Sequence, residues 1–231
     1  MSSPVVVVTG AAGALGKAVT DIFLAQGATV LAVDVDEGAL SRVYGDQEHV
    51  RRVPVNLTDA INTQEMLTAV LNQTGPAAVL CNIAGGFDMG PTVHETDDAM
   101  WRRMMDMNVA TVINVCRAVV PGMQAAGRGK VVNVAAASAT TGKGAMGAYC
   151  ASKSAVARLT ESMAAELRDA GINVNAVAPS ILDTPANRAA MPDADPGKWV
   201  ALADLAAVID FLASPRAHAV HGAVIPVVGL S

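Results

Sequence analysis

Aromatic side chains are scarce in this chain: three Phe, two Tyr and two Trp among 231 residues. A core so poor in large rings has to close through small aliphatic side chains, which favours tight helix–sheet packing. Charge is also thin. Charged residues make up 16% of the chain against 52% hydrophobic, a balance that argues against disorder. The net charge of −5 and the lack of any basic run argue against a nucleic-acid surface. The three cysteines, Cys81, Cys116 and Cys150, are odd in number and far apart, so neither a disulfide frame nor a zinc site is expected. His49, His94, His218 and His221 show no ligand spacing, and no metal is expected. No uninterrupted apolar run approaches a membrane span. Met1-Ser2-Ser3-Pro4 holds neither a charged leader nor a cleavable apolar segment, so a cytoplasmic protein with no membrane partner is expected.

What the chain does have is alternation. Apolar, β-branched runs at 5–8, 29–33, 50–55, 78–81, 131–134, 173–177 and 224–228 are separated by stretches of helical character. Continuous apolar runs suit strands covered on both faces, as in a parallel sheet. The helices are expected over 14–25, 60–71, 97–107, 109–125, 150–170 and 202–212, with Gly27, Gly127 and Gly171 as stop signals. The reading is one α/β domain over residues 1–231: a doubly wound, Rossmann-type parallel sheet of seven strands with helices on both faces. The one long irregular stretch, about residues 180–200, follows a strand and reads as a substrate lid.

Two motifs carry chemistry. After the first valine run stands Thr9-Gly10-Ala11-Ala12-Gly13-Ala14-Leu15-Gly16. Gly10 and Gly13 let backbone approach a pyrophosphate, Leu15 lies in the same turn, and Gly16 lets the next helix pack close to the sheet. Asp34, followed by Val35, ends the second strand. A carboxylate there accepts the adenosine ribose hydroxyls and repels a 2′-phosphate, so NAD(H) is favoured over NADP(H). The second motif is Tyr149-Cys150-Ala151-Ser152-Lys153. On a helix it puts the phenol and the ammonium one turn apart on one face. The phenol, ordinarily near pKa ~10, is a poor base, and the ammonium is expected to lower that value. In this order the two motifs resemble the short-chain dehydrogenase/reductase family, which moves a hydride between a nicotinamide cofactor and a carbonyl or alcohol.

That resemblance implies further residues. Asn56-Leu57 would flank the adenine, and Asn82-Ile83-Ala84-Gly85 is similar to the family's Asn-Asn-Ala-Gly, giving Asn82, Ala84 and Gly85 as cofactor contacts. Pro179, Ile181 and Thr184 would hold the nicotinamide end. Asn108 matches the asparagine that holds a proton-relay water, and joins Tyr149 and Lys153 as catalytic. Ser138, Phe87, Met146 and Trp199 are expected on the substrate side. The family's commonest middle glycine falls one residue later, at Ala14. The family also carries a catalytic Ser thirteen residues before the Tyr, where this chain has Ala136. Ser138 lies two residues on, and a bulge would be needed to substitute it.

The missing Ser, the Ala84-Gly85-Gly86-Phe87 run and the segment from Leu182 to Asp195 with Trp199 beyond resemble the lid of dihydropteridine reductases. Asn56, Asn82 and Asn108 resemble ordinary bacterial ketone and 3-oxoacyl reductases. The leading reading is therefore an NAD(H)-dependent carbonyl reductase or alcohol dehydrogenase on a small-molecule substrate. Alternatives are a quinonoid dihydropteridine reductase, a 3-oxoacyl thioester reductase and, from another class, a non-catalytic nucleotide sensor. The last rests on Ala136, and the joint retention of Tyr149, Lys153 and Asn108 speaks against it. The resemblance also implies subunit pairing through the helix carrying Tyr149 and the one before it; 109–125 and 150–170 are rich in small and apolar residues, so a homodimer or homotetramer is expected. Met100, Met104, Met105 and Met107 read as core or subunit contact, and Arg102 and Arg103 as a solvated helix face.

Overall fold

A computed structural model describes residues 3–231. Met1 and Ser2, part of the segment read for a leader, lie outside the described residues. Seven strands form one parallel sheet: β1 (Val5–Thr9), β2 (Thr29–Asp34), β3 (Val50–Pro54), β4 (Val79–Asn82), β5 (Gly129–Val134), β6 (Ile172–Pro179) and β7 (Val224–Val227). Their spatial order is β3-β2-β1-β4-β5-β6-β7. Between them run α1 (Ala14–Ala25), α2 (Glu37–Tyr44), α3 (Ala60–Thr74), α4 (Asp98–Met105), α5 (Thr111–Ala126), α6 (Gly147–Leu167), α7 (Pro185–Ala190) and α8 (Leu202–Ala213).

The alternation of strand side chains explains why the apolar runs are unbroken. Val5, Val7, Leu31 and Val33 face one core, shared with Leu67 of α3, Val112 and Val115 of α5 and Val156 of α6. Val6, Val8, Val30 and Ala32 face the other, shared with Val19 and Phe23 of α1, Leu40 and Tyr44 of α2 and Leu205 and Ile209 of α8. A sheet buried on both faces needs apolar residues at every position, not every second one. Leu80, fully buried at the sheet centre, shows the energetic weight of this packing. Leu80→Ala is expected to lower unfolding stability by about 2–5 kcal/mol, read from urea denaturation, because the void cannot refill.

Two helices lay outside the sequence reading. α2 is only eight residues long, and its start is set by Asp36, whose carboxylate accepts from Ala39 N at 2.9 Å. α7 sits inside the segment expected to be irregular, 180–200, and is capped by Thr184, whose hydroxyl accepts from Asn187 N at 3.1 Å. The helices expected over 97–107 and 109–125 are one continuous rod, Asp98–Ala126, with a π-turn at Asp106–Ala110 between α4 and α5. At 29 residues this rod is long and apolar enough to cross a membrane by length and composition alone, which run length did not reveal. Here Val112, Val115, Val119, Val120 and Met123 of α5 are buried in the core.

Helix α6 begins at Gly147, three residues earlier than expected, and ends at Leu167, where Gly171 at φ +74° closes the chain through a 3-10 turn. The glycine's left-handed backbone takes over from the helix, as at many helix ends.

Candidate active site

The carboxyl ends of the strands open into one cleft of about 1620 Å³. Single small-ligand sites run to about 1,000 Å³, so the cleft has room for a dinucleotide and a second molecule. Gly10, Gly13, Leu15 and Gly16 line it after β1, and Asp34 and Val35 at the end of β2. Asn56 and Leu57 follow after β3, Ala84, Gly85 and Phe87 after β4, and Pro179, Ile181 and Thr184 after β6. Tyr149, Lys153, Met146 and Ser138 come from α6 and the loop before it. The sheet topology thus brings together residues from every part of the chain at the edge where such sheets bind ligands.

Three expected residues are placed elsewhere. Asn82 is buried, and its amide donates to Asn133 Oδ1 at 2.9 Å inside the sheet, so it supports the turn rather than facing the cleft. Trp199 is buried outside the cleft lining, in a segment bonded to the tail after β7 through Leu230 N to Lys198 O. Asn108 is buried beneath the cleft wall. Its Oδ1 accepts from Gly86 N at 2.9 Å, and its Nδ2 donates to Gly86 O and to Ser152 Oγ at 3.0 Å each. The π-turn aims this amide at the glycine pair, an insertion typical of functional helix sites.

The cofactor end is held by backbone contacts. Gly10 adopts φ +63°, and a Cβ there would lie 3.0 Å from the Ala84 backbone. Thr9 Oγ1 accepts from Ile83 N and Ala84 N at 3.0 Å, binding the first turn to the fourth. The Asp34 carboxylate accepts from Ala12 N at 3.0 Å, which fixes the acid against the glycine turn. Tyr44 OH donates to Ala11 O at 2.7 Å from beneath, and burial pushes that phenol up to about 12. Asn114, buried on α5, donates to Leu57 O at 2.9 Å and steadies the third loop. Neither Tyr44 nor Asn114 was legible as a support, because both contacts join segments far apart in the chain. This cradle fits a dinucleotide: a glycine turn with small side chains, a helix start facing the cleft and an anchored carboxylate.

At the catalytic end, Lys153 is buried and its Nζ donates to Val134 O at 2.9 Å. Burial pushes the ammonium down to about 8. Tyr149 stands edge-on to Phe87, with ring centroids 4.9 Å apart and planes at 87°. Its phenol is raised to about 12 by burial and, less, by the neighbouring Cys150. The expectation of a lowered phenol is therefore corrected. Desolvation outweighs the attraction of an ammonium that is itself turned to a carbonyl. Ala136 is buried and borders the cleft just ahead of the 3-10 turn Ala137–Ala139, which carries Ser138. Arg102, Arg103 and Met107, first read as solvated face and core, also line the cleft. Met104 is core. All three cysteines are buried and unpaired among the described residues, and burial drives the Cys81 and Cys116 thiols up.

The depressed Lys153 makes stability depend on pH. Its folded value, about 8, lies below the ordinary 10.5, so between those values the unfolded chain binds more protons. Stability contributed by this group is full above pH ~10.5 and is lost as pH falls through about 8. Urea unfolding of the protein and of Lys153→Met should show the wild type gaining on the variant as pH rises across that window.

The segment 180–200 is pinched at its base. Asp183 N donates to Val200 O and Val200 N to Ile181 O, each at 2.9 Å. Within it Arg188 grips Asp183 through two bonds of 2.6 and 2.8 Å, which lowers the Asp183 carboxyl. Asn187 Nδ2 donates to Leu182 O at 2.8 Å. Asn187, Ala190 and Met191 turn to the cleft.

A glycine cradle, an anchored acid and a half-buried Tyr beside a buried Lys in one cleft define a nucleotide-dependent oxidoreductase. A family model described as short chain dehydrogenase matches residues 4–195. Cis-4-hydroxycyclohexanecarboxylate dehydrogenase of Sinomonas cyclohexanicum is 35% identical over 236 residues, covering 97% of this chain and 95% of the relative. 3-Oxoacyl-(acyl-carrier-protein) reductase of Thermotoga maritima is 32% identical over 241 residues, covering 99% and 98%. Among solved structures, an oxidoreductase of the short chain dehydrogenase/reductase family from Burkholderia thailandensis superposes with a TM-score of 0.89 at 31% identity, covering 99% of this chain and 92% of that one. A gluconate 5-dehydrogenase from Burkholderia cenocepacia, in complex with NADP and tartrate, gives 0.90 at 25% identity, covering 99% and 95%. The chain belongs to the short-chain dehydrogenase family: it is an oxidoreductase that acts on CH–OH or C=O groups of small molecules with a nicotinamide cofactor.

Proposed function

We propose that the protein is an NAD(H)-dependent carbonyl reductase, or alcohol dehydrogenase in reverse, working through Tyr149 and Lys153. The observation that carries this reading is the single cleft in which the Tyr149–Lys153 pair faces the glycine cradle and Asp34. The bound nicotinamide supplies the hydride. Tyr149, protonated across neutral pH in this structure, gives its phenolic proton to the substrate oxygen. Lys153 stands one helical turn on, held by Val134 O, and its charge favours the phenolate left behind. Asn108 keeps the Gly85–Gly86 backbone against this pair.

Asp34 supports NAD(H) over NADP(H). Its fixed carboxylate accepts ribose hydroxyls and repels a 2′-phosphate. Fluorescence titration is expected to give NADH the tighter binding, and Asp34→Ser to close the gap by about tenfold or more, the cost of a charged hydrogen bond. Equal binding of the two nucleotides by the wild type would overturn the preference.

Ala136 supports a second reading, with a quinonoid dihydropterin as substrate. Where the family's Ser would hold the substrate oxygen, this wall offers only a methyl group. An activated, conjugated acceptor tolerates that loss better than a simple ketone does, and the lid segment from Leu182 to Asp195 resembles that branch. NADH consumption with a quinonoid dihydropterin, small ketones, aldehydes and 3-oxoacyl thioesters separates the readings. Dominant pterin turnover selects the second, and ketone or thioester turnover the first. No turnover with any of them favours a nucleotide sensor. Ala136→Ser is expected to raise kcat for simple ketones by about tenfold, part of the 10²–10³ that one oxyanion donor supplies.

A further inference from the structure

The substrate end of the cleft has two unlike walls. Phe87, Met107 and Met191 make one apolar and polarisable. The loop between β5 and α6 makes the other, bringing Ser138, Thr141 and Lys143 to the cleft. This loop is built firmly. Ala145 holds φ +57°, the one left-handed residue other than glycine among the described residues. Its carbonyl accepts from Gly90 N at 2.8 Å, which ties the loop to the opposite wall, and Met146 N donates to Lys143 O at 3.2 Å. An alanine kept in that region costs strain, and strain of this kind gathers at functional sites.

The charges at this end are held in different ways. Arg102 and Arg103 also border the cleft, but they pair with Asp98 and Asp88. Asp106 faces the cleft from the same helical rod. Lys143 belongs to no ion pair among the described residues. Lys143 is exposed at the cleft and free to meet a charged ligand, and the same loop brings the Ser138 and Thr141 hydroxyls to the lining. We propose that the substrate carries an anionic group, a carboxylate or a comparable oxyanion, and that Lys143 binds it while the apolar body lies on the methionine wall. The reductase reading enters only in placing the reducible carbonyl at Tyr149.

The test compares an acid with its uncharged isostere. The NADH-loaded protein is titrated with cyclohexanecarboxylate and with cyclohexanecarboxamide. The acid is expected to bind about tenfold tighter, a gain that shrinks as salt is added, since the site is open to solvent. Lys143→Met should bring the two affinities together, and Lys143→Arg should keep them apart. Equal affinities in the wild type overturn the proposal, as does a Lys143→Met variant that weakens both ligands by one factor. NADH oxidation with 4-oxocyclohexanecarboxylate then separates the two claims. Lys143-dependent binding of the acid without turnover leaves the anion site standing and counts against the reductase reading.

Discussion

Tyr149→Phe is expected to lower kcat for every accepted carbonyl substrate by about 10²–10⁴-fold, the range lost with a positioned acid–base group, while NADH still binds. The reason is local. Phe keeps the ring, so the edge-on contact with Phe87 survives. Lys153 stays bonded to Val134 O, and no cradle contact is touched. What disappears is the proton that the raised phenol holds ready for the substrate oxygen. Lys153→Met should differ in kind. It removes both the charge that favours the phenolate and the anchor on β5, so kcat and cofactor binding fall together. Stopped-flow reduction with saturating NADH, beside a fluorescence titration, reads the two quantities separately. Unchanged turnover in Tyr149→Phe would remove this residue from the chemistry.

Gly16→Ala is expected to be the most damaging of single methyl additions. A Cβ at Gly16 would stand 2.1 Å from Gly10 O and 2.7 Å from Ala11 Cα. Both are backbone atoms of the turn, so no side chain can move aside. Either α1 lifts from the sheet or the nucleotide turn opens, and each outcome removes dinucleotide binding. A stability loss of about 4 kcal/mol or more follows, in the range reserved for severe steric faults. The control is Gly142→Ala, where nothing lies within 4 Å of the added methyl. Thermal melting and NADH titration of both variants check the contrast. Gly85→Ala makes an intermediate case, since its Cβ would lie 2.7 Å from Asn108 Oδ1 and 3.1 Å from Lys153 Nζ. Those atoms can shift, but they are the ones that set the catalytic wall.

Much of the fold was legible because the sheet is buried on both sides. A strand such as Val5–Thr9 has no polar face, and its composition alone separates it from a surface helix. Strand ends moved by only a few residues: β5 starts at Gly129 and β6 reaches Pro179. The glycine turn and the Tyr–Lys pair were legible for a different reason, as each is a local spacing that imposes a local shape. Helix α2 escaped because it is only eight residues long, about two turns, too short for the spacing of Leu40 and Tyr44 on its buried face to stand out. Asn82 was assigned by position in a motif, and position does not say which way a side chain points at the end of a strand. Its amide turned inward to Asn133.

The amino-acid sequence by itself determined the alternation of strands and helices, the turn that takes a dinucleotide, the acid that follows β2 and the pairing of Tyr149 with Lys153. These are short-range properties of side-chain size, branching and spacing. Tertiary structure alone decided the rest. It joined α4 to α5 through a π-turn that aims Asn108 at Gly86, and placed Asn114 under Leu57 and Tyr44 under Ala11. It also reversed the expected shift of the Tyr149 phenol. The physical reason is common to all of them: desolvation and contacts across the sheet depend on what packs around a group in space, and nearest neighbours in the chain do not encode that.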